Sequence, residues 1–235
     1  MRQLFPTLVD PVDPTAVYGD LPVASGRPAV RLNMIASVDG ATTLGGVSGG
    51  LGGRADQALF ALLRSLADGV LVAAGTVRAE GYRPSVTPVA VVSRSLRLDW
   101  QAPFFTAPIA RPTLVTVAQA PADRRARAAE VAEVVVAGDR DVDLAVALAA
   151  LAERGWGQVL AVGGPTLNGQ LARAGLLDEL CLTLSPRLAG GDAKRILDGP
   201  ALADAGLRLC SACEQDEFLF LRYRPSGALA ASLQR

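Results

Sequence analysis

Short apolar runs rich in branched residues recur along the chain and alternate with stretches in which apolar residues fall every three or four positions. The first pattern is typical of buried strands and the second of amphipathic helices. Strands are predicted at residues 29–37, 69–75, 87–95, 111–117, 132–138 and 158–162, and helices at 56–67, 122–130 and 144–154. This alternation predicts an α/β fold with a mostly parallel sheet that is flanked by helices on both faces.

The stretch 158–186 carries the clearest local pattern. A buried strand opens it and is followed directly by Gly163 and Gly164, then by Pro165 and a run with apolar residues at helical spacing. Proline fits the first turn of a helix, and glycines let a backbone approach a ligand closely. Because the start of a helix also carries a partial positive charge, the pattern predicts a pyrophosphate site; a plain tight turn is the alternative.

Both ends of the chain differ from this alternating middle. Residues 1–28 carry several prolines and glycines near acidic residues and are predicted to form an arm on the surface, and residues 226–235 a tail. Residues 207–213 and 217–224 are two strand-like runs with a short loop between them, which predicts an antiparallel hairpin that closes one edge of the sheet. A single domain is therefore predicted over residues 29–225.

Composition excludes several classes of function. The 235 residues are 50% hydrophobic, and 23 basic side chains balance 23 acidic ones, so the sequence has no electrostatic footprint for nucleic acid. No apolar run approaches the roughly 20 residues of a membrane helix, and the N-terminus lacks the core of a signal peptide, so a cytoplasmic protein is expected. The absence of histidine excludes histidine-based triads and zinc sites, and the three cysteines form no metal-ligand set.

A glycine-rich loop follows the first strand, and three longer segments together carry a wider pattern. The segments are MIASVDGATT at 34–43, DGVLVAAGTVRAEGYRP at 68–84, and VGGPTLNGQLARAGLLDEL at 162–180 with LSPRLAGG following. In this order they resemble the reductase domain of riboflavin biosynthesis, the dihydrofolate-reductase-like pyrimidine reductases. The resemblance implies a dihydrofolate-reductase-type fold, NADPH as cofactor, and hydride transfer to a pyrimidine such as 5-amino-6-(5-phosphoribosylamino)uracil.

The resemblance also assigns candidate residues. It implies cofactor contacts at Ala36, Thr76 and Glu80, where the family usually has aspartate, and along the turn at Gly163, Gly164, Pro165, Thr166 and Leu167. Substrate contacts would fall on Ser48 in the glycine-rich loop, on Arg64 and on Arg83. An ion pair between Arg64 and Asp68 is the structural alternative for the first arginine.

One position departs from the family, because Val162 stands where a glutamate often precedes the glycine pair. A dihydrofolate or pteridine reductase is therefore an alternative, and a nucleotide-binding protein without catalysis is a second. The resemblance further suggests a homodimer. The hairpin gives a physical reason to expect a dimer, because its strands carry apolar side chains that one small domain does not fully cover. These side chains are Leu207, Leu209, Phe218, Phe220 and Leu221.

Two further positions in the chain, one a single residue and one a tripeptide, are candidates from their own chemistry. Asp56 begins a helix and is the carboxylate placed to reach a pyrimidine or pterin ring across the glycine-rich loop, so we predict a catalytic role; stabilising the helix start is the alternative. Ser93-Arg94-Ser95 ends a strand with a guanidinium between two hydroxyls. That combination suits a ribose 2′-phosphate and favours NADPH over NADH, with a solvated arginine as the alternative.

Overall fold

The computed structural model describes residues 1–202 and 205–226, so positions 227–235 of the predicted tail lie outside the described residues. The strands are β1 (Arg2–Phe5), β2 (Ala29–Ser37), β3 (Gly69–Ala73), β4 (Val89–Val92), β5 (Thr113–Thr116), β6 (Glu133–Val136), β7 (Gln158–Ala161), β8 (Glu179–Ser185), β9 (Leu207–Gln215) and β10 (Phe218–Pro225). They form one sheet in the order β1-β9-β10-β8-β2-β7-β3-β4-β5-β6. All pairs from β8 to β6 are parallel, which confirms the predicted fold class.

Helices cover both faces of the parallel region. They are α1 (Pro14–Tyr18), α2 (Arg54–Ser65), α3 (Ala74–Glu80), α4 (Pro103–Thr106), α5 (Ala122–Val131), α6 (Leu144–Ala152) and α7 (Pro165–Arg173). Apolar residues of α6 and α7, among them Leu148 and Leu171, pack on one face of the sheet. On the other face lie α2, which buries Leu63, and then α3 and α5.

The predicted strand at 87–95 ends earlier, at Val92, for a local reason. The Ser93 hydroxyl accepts the backbone N–H of Leu96 at 3.0 Å, and Leu96 has a positive φ of 50°. This turn takes the chain out of the sheet, so the polar residues 93–95 follow the strand instead of extending it.

The N-terminal segment differs from the predicted surface arm. Residues up to Asp13 are mostly exposed, but β1 pairs antiparallel with β9, and Tyr18 is only 1% exposed. Tyr18 packs in the same apolar cluster as α2 and β10. The segment therefore belongs to the folded unit, a result that depends on contacts about 200 residues apart in sequence.

The C-terminal hairpin is confirmed, with β10 pairing β8 and β9 lying outside it. The edge itself is taken by β1. Two residues of the predicted dimer surface, Phe218 and Phe220, are buried in the protomer's own core against α2. Because side chains alternate across a strand, the opposite face of the hairpin carries the partly exposed Leu219 and Leu221.

A cluster of buried ion pairs connects the N-terminal segment to this hairpin. The carboxylate of Glu179, which is fully buried, accepts from Arg31 and Arg222 at 2.7 Å each and from Arg224 at 3.2 Å. Both hairpin arginines also pair with Asp20 of the N-terminal segment. The cluster lies where β2 and β8 begin.

Candidate functional site

Two adjoining cavities lie where β2, β3 and β7 end, the region in which parallel sheets generally bind ligands. The larger cavity has a volume of about 890 Å³ and the smaller one about 600 Å³. They adjoin along a shared wall formed by Met34, Thr42, Ser48, Thr76, Glu80 and Val162. Such an arrangement suits two ligands that must meet.

The glycine turn forms one wall of the smaller cavity. Gly163 has a φ of 99°, a conformation that favours glycine, and Gly164 is the residue before α7. A Cβ on Gly164 would lie 3.1 Å from the Thr76 hydroxyl oxygen, so a side chain there would crowd the wall. The cavity is lined by the predicted residues Thr76, Glu80, Gly163, Gly164, Pro165, Thr166 and Leu167. The structure thus brings most of the predicted cofactor residues together.

Three other predicted cofactor residues lie elsewhere. Ala36 is buried within β2, and Ser93 is buried at the end of β4. Arg94 is exposed, and its guanidinium donates to Asp141 at 2.9 Å. These three are absent from the described residues that line the two cavities. Any contact of Arg94 with a ligand would have to be made outside the smaller cavity, beyond the end of β4.

The larger cavity brings together all the predicted substrate residues, since Ser48, Asp56, Arg64 and Arg83 line it. Arg64 donates to the Ser85 hydroxyl at 2.6 Å. The alternative ion pair with Asp68 is not formed, because the Asp68 carboxylate accepts the backbone N–H groups of residues 157 and 158 at 2.8 Å. The guanidinium of Arg64 therefore faces the cavity wall near Ser85.

Asp56 lies in the first turn of α2 and is half-buried. Burial raises the pKa of this carboxyl, and a hydrogen bond from the Thr183 hydroxyl opposes the rise. No ion pair joins Asp56 to a cation among the described residues. Burial of this kind favours the protonated form of a carboxyl relative to an exposed one.

The glycine-rich loop is tied across the junction of the cavities. The Ser48 backbone N–H and hydroxyl both donate to one Glu80 oxygen, at 3.0 and 2.9 Å. Ser48 belongs to the single 3-10 turn Ser48–Gly50 of this loop, and Glu80 ends α3. Residues of this loop, Ser48 among them, therefore line both cavities.

Sequence reasoning missed three residues that line these cavities. Asn33 lines the larger cavity, and its side-chain oxygen has no hydrogen-bond partner in the described part of the chain. Tyr82 lines it too, and burial raises the pKa of its phenol to about 12, so the phenol keeps its proton at neutral pH. Lys194 lines the smaller cavity. A signal existed for Asn33, a polar residue inside the apolar strand AVRLNMIAS.

Two features are absent from the described residues, 1–202 and 205–226. These residues contain no group of three or more acidic, cysteine or histidine side chains that could hold a metal ion. They also contain no helix that is both long and apolar enough to span a membrane.

Comparisons with known proteins agree with this geometry. The sequence model of the RibD C-terminal domain matches residues 28–219. The 2,5-diamino-6-ribosylamino-4(3H)-pyrimidinone 5′-phosphate reductase of Methanothermobacter thermautotrophicus is 33% identical over 216 residues, covering 86% of this chain and 100% of that protein.

Solved structures give the same result. A pyrimidine reductase-like protein from Corynebacterium diphtheriae superposes with a TM-score of 0.80 at 27% identity, covering 91% of this chain and 98% of that one. A dihydrofolate reductase from Enterococcus faecalis, solved with NADP(H), superposes with a TM-score of 0.53 at 13% identity, covering 88% of this chain and 100% of that one. This second likeness concerns the fold alone.

Proposed function

The chain belongs to the RibD C-terminal domain family, and from that membership we propose that it is a reductase of riboflavin biosynthesis. Its substrate would be a phosphoribosylamino-pyrimidine. This is the class of substrate in the name of the Methanothermobacter relative, whose whole length is covered by the match. A nicotinamide cofactor would supply the hydride. The cytoplasmic location predicted from the sequence is part of the same proposal.

The distribution of polar groups in the larger cavity is the observation that carries this proposal. Arg64 and Arg83 supply guanidinium donors suited to a sugar phosphate, and they share the cavity with Ser48, Asn33 and Asp56. The last two offer an amide and a carboxyl for the edge of a heterocycle. Apolar side chains such as Phe60 and Val162 line the same cavity. A heterocycle joined to a phosphorylated sugar needs charged donors for its phosphate, and polar and apolar groups for its ring.

The smaller cavity fits the cofactor. Gly163 and Gly164 place no side chain in its wall, and α7 begins there at Pro165, which has no N–H. The first N–H groups of the helix are therefore those of Thr166 and Leu167. Such a helix start favours a pyrophosphate. We propose NADPH over NADH because of Arg94, although that residue must then meet the 2′-phosphate outside the cavity.

The chemistry asks little of the protein beyond positioning. A bound nicotinamide supplies the hydride, so no protein nucleophile is required and the lack of histidine is no obstacle. The wall shared by the two cavities, with Thr76 and Val162, would hold cofactor and substrate against each other. Asp56 lines the substrate cavity, and its carboxyl would hold a proton for the ring or exchange it through water.

A single assay tests the function. Purified protein with NADPH would be given a phosphoribosylamino-pyrimidine or dihydrofolate, and the loss of NADPH absorbance followed. We expect oxidation with the pyrimidine. Oxidation with dihydrofolate alone would support the pteridine alternative. That alternative was raised because Val162 stands where the family often has a glutamate. Binding of NADPH without turnover of either would favour a nucleotide-binding protein that has lost catalysis.

We also propose a homodimer that is formed through the outer face of the hairpin. Leu207 and Leu219 are 40% and 37% exposed there, and Leu209 and Leu221 are half-buried. These four residues lie on one face by strand alternation and register. A contiguous apolar face of this kind is typical of an interface.

A further inference from the structure

Lys194 is the only lysine in the sequence, and the remaining basic residues are arginines. It follows β8 in the loop that leads towards β9, and it lines the smaller cavity together with the glycine turn. Neither composition nor local pattern marks it as a site residue. Its position in the cavity comes from how the loop is anchored.

Hydrogen bonds from three directions hold this loop against the cavity. The Lys194 carbonyl accepts both the backbone N–H and the hydroxyl of Thr42, at 3.1 and 2.8 Å. Buried Asn168 donates to the carbonyl of Ile196 at 2.9 Å, and the Asp198 N–H donates to the Pro165 carbonyl at 3.0 Å. The backbone of Lys194 is therefore fixed relative to α7, and its ammonium group is held beside the start of that helix.

The side chains around Lys194 already surround one anionic oxygen. A single Asp198 oxygen lies 2.5 Å from the Lys194 ammonium nitrogen and 3.2 Å from the Thr166 hydroxyl oxygen, which donates to it. A phosphate oxygen accepts the same two donors. Both side chains of the ion pair are substantially exposed, at 62% for Lys194 and 41% for Asp198. An exchange of partner by Lys194 therefore requires no repacking of the core.

We propose that Lys194 binds the pyrophosphate of a dinucleotide in the smaller cavity, and that the Asp198 oxygen between Lys194 and Thr166 occupies the place of a phosphate oxygen. This inference rests on the proposed function, since it assumes that a nicotinamide dinucleotide binds there. On binding, Lys194 and Thr166 exchange the carboxylate for phosphate, and Asp198 turns towards solvent. The pyrophosphate is common to NADPH and NADH, so Lys194 acts on both.

Replacing Lys194 by methionine tests the proposal, because methionine keeps the length of the side chain and removes its charge. Dissociation constants for NADPH and for NADH would be measured by calorimetry on the intact protein. We expect both to rise by a similar factor of about ten. The matched control is Arg195→Met, the adjacent residue, which lines a different cavity of about 320 Å³. This control removes the same charge and should leave both constants unchanged.

The outcomes separate the two proposals. Wild-type protein that binds neither dinucleotide would defeat the proposed function itself. Wild-type protein that binds NADPH, with Lys194→Met unchanged, would overturn the role of Lys194 alone. A loss confined to NADPH would overturn it as well, because it would place Lys194 at the 2′-phosphate.

Asp198→Asn tests the second half of the proposal. The amide removes the competing charge and keeps the shape, so we expect both dinucleotides to bind at least as tightly as to the wild type. Weaker binding would show that Asp198 positions Lys194 for the phosphate and would overturn the exchange of partners. Reductive methylation with ¹³C-formaldehyde adds a direct measurement, since the chain has one lysine. NADPH should shift its dimethylamine signal, and an unmoved signal would contradict the contact.

Discussion

Asp56 is the residue on which the catalytic proposal depends most. We expect Asp56→Asn to reduce turnover at least tenfold while NADPH binding stays unchanged, because the amide keeps the shape of the carboxyl but cannot hold or exchange its proton. Steady-state kinetics with the pyrimidine substrate measures this. If Asp56 only stabilises the start of α2, asparagine serves nearly as well and the rate stays near that of the wild type.

The same variant has a pH signature. Burial raises the pKa of Asp56, so the folded protein binds this proton more tightly than the unfolded chain does. The stability that this proton contributes is therefore present at low pH and is lost as the pH rises through the folded pKa. We expect Asp56→Asn to melt at a higher temperature than the wild type at neutral pH. The difference should disappear below the ordinary aspartate pKa of about 3.9.

The prediction for Arg94 concerns one cofactor only, NADPH. If it meets the 2′-phosphate, Arg94→Ala should weaken NADPH binding by roughly tenfold and leave NADH binding unchanged. Asp141→Ala, which removes only the exposed partner of Arg94, serves as the control and should not weaken NADPH. An equal loss for NADPH and NADH would remove Arg94 from the phosphate site.

At the level of elements, the turn between β7 and α7 decides whether the smaller cavity is open. We expect Gly164→Val to fold but to lose at least tenfold in cofactor affinity. Gly164 has a φ of −80°, which valine accepts, whereas its Cβ would press on Thr76 at 3.1 Å. Gly49→Val in the glycine-rich loop is the control, since a Cβ there meets nothing within 4 Å. Unchanged affinity for NADPH in Gly164→Val would make the turn merely structural.

The elements show how far a sequence can be interpreted. The strands β2 to β7 were predictable because each is a short apolar run, and α7 was predictable from its helical spacing of apolar residues. Gly163-Gly164-Pro165 marks the turn between β7 and α7. The edge strand β1 was not predictable, since four mostly exposed residues gain their pairing from β9, about 200 positions away. The position of Lys194 in the cavity was not predictable for the same reason. It reaches the cavity through Thr42, 152 residues earlier in the chain.

At the level of the whole molecule, the dimer makes a direct prediction. We expect Leu221→Glu to yield a folded monomer, because a buried unpaired carboxylate at an apolar interface is costly. Sedimentation at micromolar concentration measures the mass. Leu188→Glu is the control, since Leu188 is 79% exposed in the loop after β8 and is not one of the four leucines of the hairpin face. A wild-type protein that already sediments as a monomer would end the proposal.

The charge cluster at Glu179 should matter for stability and not for chemistry. Glu179→Gln leaves Arg31 and Arg222 buried without their shared anion, and we expect a loss of about 3–5 kcal/mol in the free energy of unfolding. Chemical denaturation measures that loss. The folded fraction should keep its NADPH affinity, because Glu179 lines neither cavity among the residues described.

The order of the strands also bears on how the protein is made. Strands β3 to β6 are neighbours both in sequence and in the sheet, so a growing chain on the ribosome can pair them as they emerge. The strand β2 must wait for β7 and β8, made more than 100 residues later, and β1 must wait for β9. Until then the nascent chain exposes the apolar β2. The hairpin of β9 and β10 then completes the sheet on the far side of β8. A chain that stalls before β7 and β8 are made would present β2 to chaperones and proteases.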